Sequence, residues 1–463
     1  MWILGKDKID ELKSVLHSEY YTKWVIYLEK FLRYSRQKKY TEDPYNLLAL
    51  QLAFAKILAG VETTVSEGKG KLAEERKAGK KDLVEDLKIG ITSNIQIARI
   101  IKMIADGLAW RVLEYDRPFL RAMAESRRYP SSVDLDSKDF QLLEQKAIEI
   151  TAVRKSKILL NDLTYFLRLG DLTEVGRRTV VWEAKKSGRE LKSVYTIMKQ
   201  KGNAAISRQM KRITHAQIVR DFREIPMGTE TIKVLELPIK FENNLDKVGN
   251  LIEEARRNLY SYKEFGDYLA VSSTDQEQLI NEAIKTGKEL WKKFNNEPKW
   301  SKKDMVIPYS NLDHFYDKGG DFLRTSTPYS VYPFKDRDCM DLISGKLFLK
   351  TRINISAIKR MFIRAGWEII EVDIDKSLSK IKKIEPKLFS GNIFDYHIDD
   401  TIFGIKRGAF NLNIPWYWVT RIATEFMKPE VLIKQVELIY KTSENGEPRK
   451  VLPYILGEKN VWS

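Results

Sequence analysis

Apolar residues in the first part of the chain recur every three or four positions, which is the spacing of one face of an α-helix. This spacing begins near Ile9, resumes after Pro44 and returns again near 93. Residues 62–90 are strongly charged, and we expect a solvated helix or a mobile connection there. The pattern therefore predicts a helical N-terminal domain at 1–130, in which no residue demands chemistry.

The middle of the chain alternates between the apolar spacing of helices and that of strands. The expected elements are a helix at 134–160 capped by Asp136 or Ser137, a hairpin at 165–185, helices at 190–200 and 204–222, a strand at 232–239, a helix at 245–262, a strand at 267–273 and a helix at 275–296. This order predicts an α/β core at 131–297 with a mixed central sheet flanked by helices.

The last third of the chain changes character, because aromatic residues alternate with short apolar runs there. Strands are expected at 304–308, 346–350, 367–373, 402–406 and 409–414, and helices at 356–365 and 416–427. We therefore expect a separate α+β domain at 298–463, with a role in targeting or assembly.

The composition indicates a folded, basic protein. The chain has 80 Lys and Arg against 64 Asp and Glu, a net charge of +16, which favours a polyanionic partner, most simply nucleic acid. One cysteine, Cys339, excludes a disulfide framework and a Cys-based zinc site, so we expect a reducing, cytoplasmic location. No signal peptide is visible, and the apolar run 47–61 is interrupted by Gln51 and Lys56, so a core helix and no membrane partner are expected.

The hairpin at 165–185 carries the candidate chemistry. An apolar-rich run ends in a carboxylate at Asp171, a turn at 176–178 follows, and a second strand starts at Thr179. Side chains alternate faces along a strand, so Glu183 and Lys185 share one face of it. Buried strands rarely carry such charges unless each is paired or bound to a metal.

Two carboxylates at the open end of a hairpin can share one hard divalent cation. Such a cation acidifies a bound water and neutralises charge that builds on a phosphate. A lysine two residues beyond one ligand could then position that water or offset the transition-state charge. Asp171, Glu183 and Lys185 fit this arrangement, and the alternative is an edge strand with a surface salt bridge.

The pattern Asp-x(11)-Glu-x-Lys resembles that of the PD-(D/E)XK nuclease superfamily, with Gly170-Asp171 in place of Pro-Asp. The resemblance covers about residues 137–275 and implies a restriction-endonuclease-like core. It also implies a Mg²⁺- or Mn²⁺-dependent DNA endonuclease whose phosphodiester hydrolysis leaves a 5′-phosphate. In that family Asp171 and Glu183 would hold the metal, and Lys185 would assist the water.

The resemblance suggests roles for two further residues. Glu144 lies within about 50° of the centre of the apolar face of its helix, a face that includes Phe140, Leu143, Ala147, Ile148, Ile150 and Thr151. The helix before the hairpin often supplies another acidic metal ligand in the family, and the alternative for Glu144 is a rim carboxylate. Gln209 matches a helical residue that contacts the metal-bound water or the phosphate, and the alternative is a glutamine hydrogen-bonded at the core edge.

A basic surface is expected beside the hairpin. Residues 177–223 hold thirteen Lys or Arg against three Asp or Glu. The residues expected to contact the phosphate backbone are Lys186, Arg189, Arg208, Lys211 and Arg212.

We therefore expect a DNA endonuclease, as in restriction or phage defence, that can form a homo-oligomer or bind a partner protein through a flanking domain. The alternative is a non-catalytic nucleic-acid-binding or assembly protein with a nuclease-like fold. RNA is left open as the substrate, because the core residues do not decide which sugar is bound.

Overall fold

The computed structural model describes residues 14–124, 135, 137–167, 169–176, 178–184, 191–193, 208–227, 230–276, 298, 300–301, 303–311, 327–372, 401–443, 451–455 and 461. Helices and strands are mixed along these residues and the strands form several antiparallel pairs, so the fold class is α+β, as expected.

The described helices are α1 Glu19–Ser35, α2 Lys38–Glu42, α3 Pro44–Lys77, α4 Lys81–Val112, α5 Arg117–Met123, α6 Lys138–Arg154, α7 Arg208–Phe222, α8 Leu245–Asn258, α9 Asp336–Ser344, α10 Ile355–Arg364, α11 Trp416–Thr424 and α12 Pro429–Lys441. The described strands are β1 Lys157–Leu160, β2 Leu172–Val175, β3 Thr179–Ala184, β4 Leu191–Ser193, β5 Glu224–Met227, β6 Glu230–Leu237, β7 Tyr260–Phe265, β8 Leu269–Asp275, β9 Val306–Ser310, β10 Leu347–Asn354, β11 Glu368–Glu371, β12 Thr401–Arg407, β13 Phe410–Pro415 and β14 Val451–Ile455.

The region before residue 125 is helical over its described residues, as the apolar spacing predicted. Helix α3 begins where the Asp43 side chain accepts a hydrogen bond from the Asn46 N–H at 2.7 Å, with Pro44 in its first turn. The charged stretch 62–90 is also helical and forms the end of the α3–α4 hairpin. From Ser93 to Val112, α4 is buried on nearly all sides, which is the pattern of a central core helix.

Helix α3 is the one helix among the described residues that is long and apolar enough to cross a membrane, judged by length and composition alone. Core helices of globular proteins also meet that criterion. Leu47, Phe54 and Leu58 of α3 are buried in the core of the chain, so its apolar side chains already have partners. We therefore interpret α3 as a core helix.

The strands form four sheets. Their orders are β1-β2-β3-β4, β7-β8-β10-β9, β11-β12-β13 and β14-β6-β5. All described pairings are antiparallel except that of β14 with β6, which is parallel. The sequence predicted one mixed sheet for 131–297, whereas the described strands of that region are divided between three sheets. The apolar pattern marks strands but does not say which strands pair, and β6 pairs with a strand near the end of the chain.

Several boundaries differ from the prediction, and two have a clear cause. Lys155 and Leu259 adopt left-handed backbone conformations, with φ of 52° and 64°, and these end α6 and α8. Strands β1 and β7 follow directly, where helices had been expected to continue to 160 and 262. A left-handed helix end usually takes glycine, so neither end is marked in the sequence.

Three further predictions concern strands, helices and a helix cap. Residues 191–193, expected in a helix, form β4 and pair with β3. The Ser137 side chain, one of the two caps predicted, caps α6 by accepting the Phe140 N–H at 3.1 Å. The strands expected after residue 300 are confirmed as β9 to β13, and the two helices as α10 and α11.

Contacts connect residues on both sides of each expected domain boundary. The Tyr21 hydroxyl of α1 donates to the Ser344 carbonyl at 2.8 Å, and Arg111 of α4 donates to the Ser330 carbonyl at 2.6 Å. Strand β8 pairs with β10 over seven residue pairs, from Asp275–Leu347 to Leu269–Ile353. The N-terminal helices and the region after 297 therefore share one packed core with the middle of the chain.

A buried charge cluster fastens α5 to α11. Glu425 forms an ion pair with Arg117, whose Nη1 lies 2.8 Å from its carboxylate. Arg421 Nε and the Thr327 hydroxyl each donate a hydrogen bond to it at 2.9 Å. Burial alone would raise the pKa of Glu425, but the two guanidinium groups hold it below its ordinary value of 4.5. Glu425 therefore stays ionised in the core.

We predict that Gly107→Ala destabilises the fold by about 1–3 kcal/mol, because core positions without space are overpacked by one methyl. A Cβ on Gly107 would lie 2.8 Å from the Ser330 Cβ, against which α4 packs. Urea unfolding measures the effect. Gly60→Ala in α3 is the matched control, since no atom lies within 4 Å of its added Cβ; it should stabilise by roughly 0.5–1 kcal/mol. Equal changes in the free energy of unfolding for Gly107→Ala and Gly60→Ala would contradict the close packing of α4 at Gly107.

We predict that Glu425→Gln costs about 3–5 kcal/mol near neutral pH, because it leaves two arginines in a partly broken buried pair. The folded pKa of Glu425 is lowered, so its stabilisation is complete above the ordinary value of 4.5 and is lost as the pH falls through the lower folded value. Urea unfolding from about pH 7 to about pH 3 should show the two proteins converge. Lys23 also lowers the pKa of Glu19, but this pair is exposed, so Glu19→Gln should show a much smaller gap over the same pH range.

Candidate active site

The predicted hairpin is present, and Asp171 lies at its open end. Strands β2 and β3 pair from Leu172–Trp182 to Val175–Thr179, so the turn is at 176–178 as predicted. The first strand starts after Asp171, whereas the sequence predicted an apolar run that ended there. The Asp171 N–H donates to the Trp182 carbonyl at 2.8 Å, which puts Asp171 beside the residue that precedes Glu183.

Gly170 makes this approach sterically feasible. Its φ is +70°, and an added Cβ would lie 2.8 Å from the Trp182 carbonyl oxygen. Proline is locked at φ of about −65°, so the proline of the resembled pattern could not adopt this conformation. A glycine at position 170 is therefore what this close approach to β3 requires.

The loop before Asp171 is closed by hydrogen bonds that sequence analysis missed. The Asn161 N–H donates to the Asp171 carbonyl at 3.0 Å, and the Asn161 side chain donates to the Leu169 carbonyl at 2.8 Å. The Thr173 hydroxyl donates to Asn161 Oδ1 at 2.9 Å. Asn161 is buried, so its amide holds both the loop and β2.

Two polar side chains of the N-terminal helices bind β1 and the loop before Asp171. Gln51 of α3 donates to the Ile158 carbonyl at 2.7 Å and accepts the Leu160 N–H at 2.8 Å, as a neighbouring strand would. Asp106 of α4 accepts the N–H groups of Tyr165 and Phe166. Both residues are polar positions within apolar stripes, and that is the signal by which sequence analysis could have found them.

Helix α6 covers the Trp182 side of the sheet. Lys146 Nζ lies 5.4 Å and the Arg154 guanidinium carbon 5.6 Å from the Trp182 ring centroid, and the Trp182 indole N–H donates to Glu174 at 3.2 Å. Glu174 is a buried carboxylate that sequence analysis did not consider. Arg154 also pairs with it at 3.1 Å, so its charge is compensated.

Glu144 is half-buried on α6, at the edge of the face formed by Leu143, Ala147, Ile150 and Thr151. The predicted apolar face also included Ile148, which is wrong, because Ile148 is 50% exposed. The buried face is narrower than predicted, since among the described elements α6 packs mainly against the hairpin sheet and α3. Glu144 at its edge is compatible with either alternative considered for it.

Helix α7, which carries Gln209, Arg208, Lys211 and Arg212, packs on β3. Gln217 donates to the Thr179 carbonyl at 3.2 Å. Asp116, which follows α4, pairs with Arg220 and, at 2.7 Å, with Arg223. The N-terminal region thus fixes the C-terminal end of α7 as well as the Asp171 loop.

Part of the predicted site lies outside what the structure describes. Lys185, Lys186 and Arg189 are outside the described residues, and so are the side chains of Glu183, Arg208, Gln209, Lys211 and Arg212. Among the side chains that are described, no group of three His, Cys, Asp or Glu could hold a metal. Comparison of the chain with protein-family models, curated proteins and solved structures finds no match.

We predict that Gly170→Ala destabilises the chain by about 2–4 kcal/mol, the sum of a left-handed conformation and an overpacked contact. The new methyl group would collide with the backbone of Trp182. Gly176→Ala is the matched control in the same hairpin, since the nearest atom to its Cβ is the Ser156 Oγ at 3.1 Å and the nearest backbone atom is 3.9 Å away. Urea unfolding of both variants checks this, and equal loss of stability would refute the close approach.

Proposed function

We propose that the chain is a metal-dependent DNA endonuclease that hydrolyses phosphodiester bonds. The observation that supports it most is the hydrogen bond from Asp171 to Trp182, which brings one acidic residue of the pattern beside the strand of the other. The proposed restriction-endonuclease-like core consists of α6, the β1–β2–β3 meander and α7. Its order, a helix, three antiparallel strands and a helix that packs on the third strand, is compatible with that assignment.

Asp171 and Glu183 would hold Mg²⁺ or Mn²⁺, with Glu144 as a third ligand. Carboxylate oxygens are the donors that such hard cations take, so the donor set fits the group. A bound cation would supply an acidified water and charge neutralisation at the phosphate. Lys185 would place its ammonium against the phosphate charge, and Gln209 would orient the water through its side-chain amide.

The basic residues beside the hairpin would bind the substrate. Lys186, Arg189, Arg208, Lys211 and Arg212 would contact phosphates without regard to sequence. The flanking regions would supply target selection or assembly with a second copy or a partner protein, in a cytoplasmic restriction or defence setting. The net charge of +16 favours such a polyanionic substrate.

Plasmid cleavage with Mg²⁺ tests the assignment. Asp171→Asn, Glu183→Gln and Lys185→Ala should each lower the rate roughly 100-fold or more, as removal of groups that act in the transition state does. Glu149→Gln removes the same charge from an exposed position on α6 and should cleave like the wild type. Cleavage at the same rate by all five proteins would reject the site.

A non-catalytic nucleic-acid-binding protein is the second candidate, and the surface of α1 favours it. Tyr20, Trp24, Tyr27, Phe31 and Tyr34 form a continuous ladder of ring contacts with centroids 5.2–6.4 Å apart. Tyr20 and Tyr27 are each 44% exposed, and Lys23 and Lys30 are exposed on the same helix. Aromatic rings beside cations can bind single strands by stacking and charge. Binding that survives a chelator and yields no products would favour this candidate.

A further inference from the structure

Helix α4 supplies a buried carboxylate to the loop that ends in Asp171. Asp106 is 0% exposed, and its Oδ1 accepts the N–H of Tyr165 at 2.7 Å and of Phe166 at 3.2 Å. Burial of a carboxylate is costly unless its hydrogen bonds compensate for lost water. Asp106 thus compensates for its burial by accepting two backbone N–H groups of this loop.

A second residue of α4, Trp110, also contacts the loop, four residues after Asp106. The Trp110 ring contacts the Phe166 ring edge-on, with centroids 5.4 Å apart. Phe166 and Leu169 are both buried, so the middle of the loop is packed as well as hydrogen-bonded. One face of α4 therefore fixes residues 165 and 166 in position.

Between residue 166 and Asp171, hydrogen bonds restrict the backbone of the loop. Its two ends are joined by the Asn161 N–H to Asp171 carbonyl bond at 3.0 Å, and the Asn161 side chain holds Leu169. The Asp171 N–H is bonded to Trp182 of β3. A displacement of residues 165 and 166 would therefore be transmitted to Asp171 and would change its place relative to β3.

We propose that Asp106 is a positioning residue for Asp171. It fixes loop 161–171 against β3 and so sets where the Asp171 carboxylate lies relative to Glu183. The proposal rests on the proposed metal-dependent nuclease, in which two carboxylates must be held to within about 0.5 Å of their productive geometry. It also assigns a role to the N-terminal helices: they hold the candidate site from outside the hairpin.

The test compares Asp106→Asn with Ile104→Val in the full chain. Asn keeps the shape of Asp106 but exchanges its carboxyl group for an amide, whereas Ile104→Val leaves a small cavity on the same helix, at a buried residue. Hydrogen exchange followed by mass spectrometry reports the opening of the 161–171 segment. Titration with Mn²⁺ alone, followed by calorimetry, reports metal affinity. Plasmid cleavage as a function of Mn²⁺ concentration separates the metal dependence from the maximal rate.

We expect Asp106→Asn to speed exchange at 161–171 about tenfold and to raise the Mn²⁺ dissociation constant by roughly five- to tenfold. The maximal cleavage rate at saturating Mn²⁺ should fall less than the affinity does. Ile104→Val should leave loop exchange and Mn²⁺ affinity as in the wild type. If Asp106→Asn does not fold, Phe166→Leu removes the ring contact with Trp110 and should shift the same quantities in the same direction.

Two results would overturn the positioning role while the nuclease stands. In one, the wild type binds Mn²⁺, Asp171→Asn abolishes binding, and Asp106→Asn binds as the wild type does. In the other, Asp106→Asn and Ile104→Val weaken Mn²⁺ binding equally, which marks a general loss of stability. A wild type that neither binds Mn²⁺ nor cleaves DNA would reject the proposed function itself, and the positioning role with it.

Discussion

The arrangement of the chain depends on burying α4 from Ser93 to Val112 on nearly all sides. This part of the helix carries polar groups as well as apolar ones, and each buried polar group must find a partner. Asn94 accepts the Tyr20 hydroxyl of α1 at 2.8 Å, and Lys102 lies 3.8 Å from Glu62 of α3. These partners come from different elements, so they fix α4 against both α1 and α3.

Two more buried groups extend this set. Arg111 donates to the Ser330 carbonyl at 2.6 Å, and burial lowers its pKa to about 10, so it is still charged near neutral pH. Asp106 holds the loop before Asp171. A single helix therefore connects the N-terminal bundle, the segment at 329–331 and the candidate site. The site is part of the same core as the N-terminal helices and cannot be understood from the hairpin alone.

The sequence was sufficient for elements whose signal is local. The hairpin could be predicted because β-type alternation flanks a turn at 176–178, and Ser137 could be predicted as a cap because serine side chains satisfy free N–H groups. The ends of α6 and α8 could not, because Lys155 and Leu259 adopt left-handed conformations that are usually taken by glycine. The pairing of β6 with β14 could not either, since pairing depends on tertiary contacts.

For the candidate site, Asp171 could be found from the motif, whereas the contacts that hold it could not. Asp106 and Asn161 are far from the motif or unremarkable in sequence, and only the packed chain shows that they bind the same loop. Gln51 was visible as a polar break in an apolar run, but its partner, the edge of β1, is a tertiary feature. The motif thus identifies candidate residues, while the residues that hold them in place follow from the fold.

Anomalous diffraction from crystals grown with Mn²⁺ would show whether Asp171 and Glu183 share a cation. We expect one strong peak about 2–2.5 Å from carboxylate oxygens of both residues, with Lys185 beside it. Asp171 and Glu183 side chains that point apart into solvent, with no peak between them at saturating Mn²⁺, would contradict the shared cation.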